Sequence, residues 1–388
     1  MPIKNRFAEL YDEICAWRHD IHQNPELLFE MHRTSSLVAG RLNEFGVDEV
    51  ITGIGRSGVV GVIKGKSNTS GKVIGLRADM DALPIQEATG LQYASKTEGV
   101  MHACGHDGHT AMLLGAAKYL AETRNFNGTV VVIFQPAEEG GGGGRAMCED
   151  GMMDRFSIQE VYALHNWPLF PSGEFAIRSG PFFAASDLIE ITITGVGGHA
   201  AKPQETVDTT LVASHLILAM QSIASRNIDP IEQVVLSVTS FETSSKAFNV
   251  IPERVHLRGT VRTMKPEIRD MAEKRILEIS HLTAETYGAV ADAKYIRSYP
   301  VMTNSPEQTE FAAEVATKVM GKCHEASLVM GGEDFSFMLE ERPGAYILLG
   351  NGDSAPVHTE RYNFNDEIIP AGCSWFAELA EQRMPLEH

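Results

Sequence analysis

The run MHACGHDGHTA, residues 101–111, gathers His102, Cys104, His106 and His109 at the mouth of an apolar stretch. Thiolate and neutral imidazole are ligands that Zn²⁺ and its first-row neighbours prefer, and Gly105 lets the chain turn so that Cys104 and His106 converge on one centre. This is half a metal site. Chance Cys-x-His matches and structural histidines are common, so the other half must come from elsewhere in the chain. A second segment, VVVIFQPAEEGGGGG over 130–144, delivers Glu138 and Glu139 from a buried-type strand into a glycine-rich loop. Adjacent carboxylates on an extended chain point to opposite sides. One can bind metal while its neighbour stays unligated and accepts a proton from water, the division of labour of a metallohydrolase. ALHNWP then brings His165 off a short apolar strand, and APVHTERYNF brings His358 from far downstream. Four loops, each following an apolar run and each carrying a ligand-type residue, suit a site gathered at one edge of a sheet.

The elements that must position these groups alternate in type. A helical pattern over about 7–45, broken at Asn24-Pro25, is followed by β-type runs at 58–63 and 72–76, a helix at 109–120 and a strand at 129–134. Two short strands, VYALH and GEFAIR, fall within 160–180. Alternating strands and helices predict an α/β sheet covered on both faces. Between about 185 and 299 the texture changes to strand (187–194), helix (207–225), strand (232–241), strand (254–263), helix (267–287) and strand (289–296). This βαββαβ order, with strands that alternate, is that of a ferredoxin-like module with one wet face. His358 follows the module and the other ligand candidates precede it, so the module reads as an insertion into a discontinuous domain. The expected boundaries are 1–184 and 300–385 for a catalytic part with a central mixed sheet flanked by helices, 185–299 for a lid or dimerisation domain, and 386–388 for a tag remnant.

At 388 residues, 43% apolar and 22% charged, the chain has the composition of an ordinary globular protein with room for two domains. No apolar run approaches the roughly 20 residues needed to span a bilayer, and MPIKNRFAELYDEI reads as the start of an amphipathic helix rather than a secretory signal. Five widely spaced cysteines argue for a reducing, cytoplasmic compartment, with Cys15, Cys148, Cys323 and Cys373 in the core. A net charge of −18 argues against nucleic acid and anionic membranes as partners. An anionic substrate therefore needs local help. Arg262, on a strand beside an Asn-bearing turn, suits that role, the ordinary alternative being a pairing with a surface acid. Two glycine-rich stretches are decoys. The stretch from Gly195 to Ala200 has dinucleotide-type spacing but runs into Lys202-Pro203 rather than a helix, which removes the oxidoreductase reading. Gly140 to Gly144 lacks the Gly-Lys-Ser/Thr of a phosphate loop.

Taken in order, RHDIHQNPEL, GLRADMDALPI, MHACGHDGHTA, FQPAEEGGGG, HNWP, GVGGHAAKP, FNVIPE, LRGTVRT, GGEDFSFM and VHTERYNFND resemble the amidohydrolase branch of the aminoacylase metallopeptidases. That branch includes hippurate hydrolases, N-acyl-amino-acid amidohydrolases and auxin-conjugate hydrolases, and the resemblance covers nearly the whole chain. It implies hydrolysis of N-acyl amino acids to a carboxylic acid and a free amino acid at two divalent ions, with Zn²⁺, Mn²⁺, Co²⁺ and Ni²⁺ all compatible. It implies metal ligands at Cys104, His106, Glu139, His165 and His358, and Glu138 as general base. His199 would stabilise the oxyanion, and Asn249 and Arg262 would hold the substrate carboxylate and neighbouring groups. Many dinuclear relatives carry a His-x-Asp ligand motif where this chain has Asp79-Met80-Asp81. Cys104 then supplies the missing ligand, which makes a dipeptidase or desuccinylase a poorer fit. His102, His109, Asp79, Asp81 and Asp107 are read as groups that orient the ligands or serve the core, because ligating imidazoles usually donate their other N–H to a carboxylate.

The resemblance also implies a homodimer, or a higher oligomer, joined through the inserted module. That module must reach the metals by hinge closure or from a neighbouring protomer, and the expectation is that His199 completes the neighbour's site. A metallo-dipeptidase or carboxypeptidase is the alternative. A non-catalytic metal-binding protein is disfavoured, because a structural Zn site saturates with four ligands and needs no spare Glu138. Phe182, Phe183 and Phe335 are candidates for an apolar acyl pocket, against their commoner reading as core.

Overall fold

The structure is a computed structural model that describes residues 5–386. Met1 to Lys4 of the expected first helix, and Glu387-His388 of the expected tag remnant, lie outside the described residues. The chain divides into two units. One comprises the chain up to Gly180, Thr303–Ser327 and the chain from Asp334 on; the other comprises Pro181–Met302 and Leu328–Glu333. The six residues 328–333, which the sequence reading gives to the catalytic part, cluster with the second unit. The reason is local pairing: the Ala184 amide donates to the carbonyls of Val329 and Gly331 (3.0 Å each), and Val329 bridges Phe183.

After a short opening helix, Asn5–Glu9, the first unit continues with helices α1 (Tyr11–Gln23) and α2 (His32–Glu44), separated at Asn24-Pro25, where proline cannot continue a helix. Strands β1 (Glu49–Ile54), β2 (Gly58–Lys64) and β3 (Val73–Asp79) follow, then helix α3 (His106–Thr123), β4 (Thr129–Gln135), helix α4 (Gly143–Glu149), β5 (Glu160–Pro168) and β6 (Phe175–Ile177). β4 reads TVVVIFQ and is buried at every position, as expected of an inner strand covered on both faces. β3 runs parallel to β4 and to β5. α3 begins three residues earlier than the apolar periodicity suggests. Gly105, at φ 93°, takes the left-handed turn that lets His106 be the first helical residue.

The second unit contains β7 (Ala185–Thr194), the two-residue β8 (Gly198–His199), α5 (Thr209–Ser222), β9 (Val234–Thr243), the two-residue β10 (Val250–Ile251), β11 (Arg254–Thr263), α6 (Pro266–Thr286) and β12 (Val290–Tyr299). Its four-stranded sheet has the order β9-β11-β7-β12 and is antiparallel throughout. β7 alternates strictly in burial. Ile189, Ile191 and Ile193 join Val255, Leu257 and Val261 in a core with Val212 and Leu216 of α5 and Ala272 and Ile276 of α6. Asp208 caps α5 by accepting from the amides of Thr210 and Leu211. Buried Asp187 accepts from Arg269 Nε at 2.8 Å and Tyr295 Oη at 2.6 Å.

The chain then returns to the first unit with α7 (Pro306–Met320), β13 (Cys323–Glu325), α8 (Phe335–Glu341), β14 (Gly344–Gly352) and α9 (Ile369–Arg383). β14 pairs parallel to β5 and antiparallel to β6, completing an eight-stranded mixed sheet of order β1-β2-β4-β3-β5-β14-β6-β13 among the described residues. This is the mixed α/β sheet flanked by helices that the sequence predicts. The described residues include no helix long and apolar enough to cross a membrane, and all five cysteines are unpaired.

Candidate metal centre

Parallel strands place their C-terminal ends on one edge of a sheet, and the ligand-type residues arrive there. β3 ends at Asp79, β4 leads to Glu138 and Glu139, His165 lies in the C-terminal half of β5, and β14 leads to the loop carrying His358. Cys104 Sγ stands 3.4 Å from His165 Nε2, and His358 Nε2 stands 3.2 Å from Glu139 Oε1. His106 Nε2 lies 4.0 Å from the same glutamate oxygen. Potential ligand atoms lie within 4.8 Å of one another in the groups Cys104/His106/His165, Cys104/Glu139/His358 and His106/Glu138/Glu139. The five expected ligands and Glu138 thus come together, all on the first unit.

The backbone aims these groups. The Nδ1–H of His106 donates to the Asp81 carbonyl (2.8 Å), and the Nδ1–H of His165 donates to the Asn166 carbonyl (2.6 Å). Each ring therefore turns its Nε2 toward the cluster. The Asp81 carboxylate accepts the amides of Glu138 (2.9 Å) and Glu139 (3.0 Å), so one side chain fixes the backbone of both glutamates. Two residues of the site adopt positive φ without being glycine: Ala137, just before the glutamates, at 55°, and His358 at 63°. The His358 conformation is held by its amide donating to the Ala103 carbonyl at 2.7 Å. Such conformations cost on the order of 1 kcal/mol and persist where the surroundings impose them.

The donor set fits a divalent cation by its own chemistry. His106 Nε2 is buried with no hydrogen-bond partner, a costly arrangement for a nitrogen that does not bind an ion. Burial pushes the Cys104 thiol well above its ordinary pKa, and the neighbouring Glu139, Glu138 and Asp79 carboxylates push it further. Burial also works against the charge of Asp79, but His106, Arg77 and His109 outweigh it and hold that carboxyl well below its usual range. A cation at this point would supply the positive charge that a buried thiol beside carboxylates lacks, since a thiol that coordinates a cation gives up its proton.

The three residues expected to meet the substrate lie on the second unit. His199 and Asn249 are neighbours: Val250 pairs with His199 across β8 and β10, and the Asn249 carbonyl accepts from the Ala200 amide at 3.0 Å. The Ala201 amide donates to His199 Nδ1 (3.0 Å), so the neutral ring carries its proton on Nε2, and the side chain is exposed. Arg262 is elsewhere. It pairs with Ser186 at the start of β7, whereas the β8/β10 corner continues from Thr194 and Arg254 at the other end. Eight residue steps at about 3.3 Å each separate Ser186 from Thr194, roughly 25 Å. The Arg262 guanidinium donates to Thr260 Oγ1 and the Val261 carbonyl, and among the described residues no acid forms an ion pair with it. The expected alternative, a surface-acid partner, is thus not what the structure contains.

A family model described as peptidase family M20/M25/M40 matches residues 75–382. The chain belongs to that family. Hippurate hydrolase of Campylobacter jejuni is 44% identical over 383 residues, spanning 98% of this chain and 99% of its own length. Thermostable carboxypeptidase 2 of Saccharolobus solfataricus is 37% identical, spanning 97% of each chain. A solved structure of a Bacillus subtilis dinuclear metal-binding peptidase of the M20 family superposes with a TM-score of 0.84 at 32% identity, covering 97% of this chain and 99% of that one. The family and the ligand cluster together support divalent metals and make this edge of the sheet the candidate site for them.

Other candidate residues of this M20 chain are buried. Asp107 touches no ligand imidazole; its carboxylate pairs with Arg18 (3.0 Å) and His22 (2.8 Å) in a buried cluster. His109 is committed on both nitrogens, Nδ1 to Asp79 Oδ1 at 2.6 Å and Nε2 to Asn166. His102 is buried, and burial pulls its pKa down to about 3, so its ring is neutral. Phe182, Phe183 and Phe335 are at most 5% exposed and belong to the core. The sequence reading missed the tie between Arg77 and Asp334. Arg77 pairs with Asp79 (2.7 Å) and with Asp334 (3.1 Å), and Asp334 also accepts from Gln135 Nε2 (2.7 Å) and the Gly144 amide (2.8 Å). It thereby holds both ends of the loop that carries the glutamates. The signal was present, since Arg77 of GLRADMD and Asp334 of GGEDFSF stand in the quoted motifs and were given no role.

Proposed function

We propose that this chain hydrolyses the amide bond of N-acyl amino acids, releasing a carboxylic acid and a free amino acid. The observation that carries the reading is the overlap of ligand groups. Cys104 belongs to one set with His106 and His165 and to another with Glu139 and His358, which supports two ions rather than one. Cys104, His106, Glu139, His165 and His358 would hold them, and Zn²⁺, Mn²⁺, Co²⁺ and Ni²⁺ all suit the donors. When bound, the ions supply Lewis acidity that lowers the pKa of water and polarises a carbonyl. Glu138 takes the proton of the attacking water and returns it to the leaving nitrogen. His199 donates its Nε2–H to the oxyanion, and Arg262 and Asn249 bind the carboxylate and neighbouring polar groups of the amino acid.

In this reading residues 1–184 and 300–385 form the catalytic domain, and 185–299 is a ferredoxin-like lid and dimerisation domain. The placement of Arg262 at one end of the four-stranded sheet and of the β8/β10 corner with His199 beyond the other end supports a homodimer in which each protomer lends His199 and Asn249 to the other, since one copy of the module would have to offer both ends to one centre. Unpaired cysteines are consistent with a cytoplasmic location. A carboxypeptidase acting on free peptides is the second reading, favoured by the 37% identity to the Saccharolobus enzyme. The test is apo-protein reloaded with each metal and assayed on N-benzoyl and N-acetyl amino acids beside unblocked dipeptides. Faster turnover of the acylated amino acids is expected. Preference for unblocked dipeptides would select the second reading, and a metal-loaded chain inert to both would make it a binding protein.

A further inference from the structure

We propose that Asn166 is a positioning residue that holds the two sets of metal ligands in place relative to each other. The inference rests on the reading above, in which Cys104, His106, Glu139, His165 and His358 hold two ions. Asn166 follows His165 on β5 and is wholly buried. Each of its four polar groups meets an element that carries a ligand. The carbonyl accepts the Nδ1–H of His165 at 2.6 Å. The main-chain amide donates to His109 Nε2 at 3.0 Å, and Oδ1 stands 2.7 Å from the same nitrogen, which belongs to the first turn of α3 together with His106. Nδ2 donates to Tyr362 Oη at 2.5 Å. Tyr362 is also wholly buried and lies four residues after His358 in one loop, where its amide donates to the Thr359 carbonyl at 3.1 Å.

The turn between Cys104 and His106 packs against the same pair. A Cβ built on Gly105 would sit 2.2 Å from Asn166 Oδ1 and 2.6 Å from Tyr362 Oη, so any side chain there would push the two apart from the turn. Cys104, His106 and His165 form one ligand group, and His358 enters the other with Cys104 and Glu139. Asn166 reaches the first group through β5 and α3 and the second through the Tyr362 hydroxyl. An apolar side chain could fill the same space without the cost of burying an amide, so packing alone does not account for an asparagine here. A carboxamide carries a donor and an acceptor at a fixed angle, and these set the spacing between α3 and the His358 loop. Groups hydrogen-bonded behind metal ligands commonly change metal affinity by about 10–100-fold when removed.

The test titrates apo-protein with Co²⁺, following the thiolate-to-metal absorption that reports on Cys104 and the number of ions held per chain. The native chain should take up two. Tyr362→Phe keeps the ring and loses the hydroxyl; it should weaken the second ion about tenfold and shift the absorption of the loaded chain. In a His358→Ala chain, which should keep one ion, the same substitution should change Co²⁺ affinity by less than about twofold, because its route to the metals is gone. Asn166→Ala should weaken binding about tenfold in both backgrounds, since it also frees the first turn of α3. Thermal unfolding of the apo chains measures any cost to the fold separately. If Asn166→Ala does not fold, Tyr362→Phe in the two backgrounds decides. Native-like binding of both ions by Tyr362→Phe overturns the inference, and so does an equal loss with and without His358, which would make the hydroxyl a general support of the fold. A native chain that takes up fewer than two ions ends the two-ion reading and the inference with it; two ions in the native chain with unaltered binding in the variants removes only the role of Asn166.

Discussion

Three imidazoles in this chain have their tautomer set by a main-chain group, and the sense of the bond divides their work. Carbonyls at Asp81 and Asn166 accept from His106 and His165, which leaves Nε2 of each to the ion we propose; an amide at Ala201 donates to His199, which leaves a proton on Nε2 for the oxyanion of the proposed reaction. The sequence reading expected carboxylates in this role. Asp79 instead serves Arg77 and His109, because a buried guanidinium needs an anion more than a neutral ring does. Glu138→Gln removes proton transfer with little change of shape, so turnover should fall by about 10²–10⁴ while metal content, measured by elemental analysis, stays the same. Near-normal turnover would remove Glu138 from the role. The buried His22 gives a pH signature. Burial opposes its charge, but Asp107 at 2.8 Å and Glu87 raise its pKa from 6.5 to about 9. A pKa raised by folding stabilises fully below the unfolded value and loses that contribution as pH climbs through the folded one. The difference in Tm between the native chain and His22→Gln should therefore be widest just below pH 6.5 and shrink toward about pH 9. A difference constant across that window would show that the pair does not titrate as described.

At the scale of elements, most of what positions the site could be read in advance. Thr129–Gln135 begins with five β-branched residues in a row, and Ala185–Thr194 and Arg254–Thr263 alternate, so period and burial agree. β14 was not anticipated, although it lies beside β5 and leads to His358. Its core, AYILL, is a short apolar run between glycines that periodicity alone cannot assign to strand or helix. Nor does spacing disclose contacts across sequence, such as Asp334 with Gly144 or Asp107 with Arg18, which depend on pairing completed late in the chain. The close approach of α4 to the glutamate loop was equally hidden. A Cβ built on Gly143 would sit 1.7 Å from the Pro136 carbonyl oxygen, which is backbone and cannot swing aside. Gly143→Ala should cost about 1–3 kcal/mol in urea unfolding and lower metal content, because the loop holding Glu138 and Glu139 must shift. Gly40→Ala, on α2 with nothing within 4 Å, should instead stabilise by up to about 1 kcal/mol. If both substitutions behave alike, packing at Gly143 is not what fixes the loop.

For the whole molecule, the separation of Arg262 from His199 makes a prediction about assembly. His199→Ala and Glu138→Ala chains, each inactive alone, should regain activity when mixed through unfolding and refolding. Random pairing into twofold dimers gives a ceiling of about a quarter of native activity, since half the dimers are mixed and each has one intact site. No recovery, with mixed dimers verified by mass, would place His199 in its own chain's site. The division into two units has a consequence of a different kind. The polypeptide passes between them four times, at 180–181, 302–303, 327–328 and 333–334. Two cuts therefore cannot excise the second unit whole, because the strip 328–333 would stay behind on the other fragment. A protease that nicks a single connection should leave material that shows two bands under denaturing conditions yet still elutes as one species, and a gene fragment for 181–302 alone would lack the segment that pairs with Phe183 and Ala184.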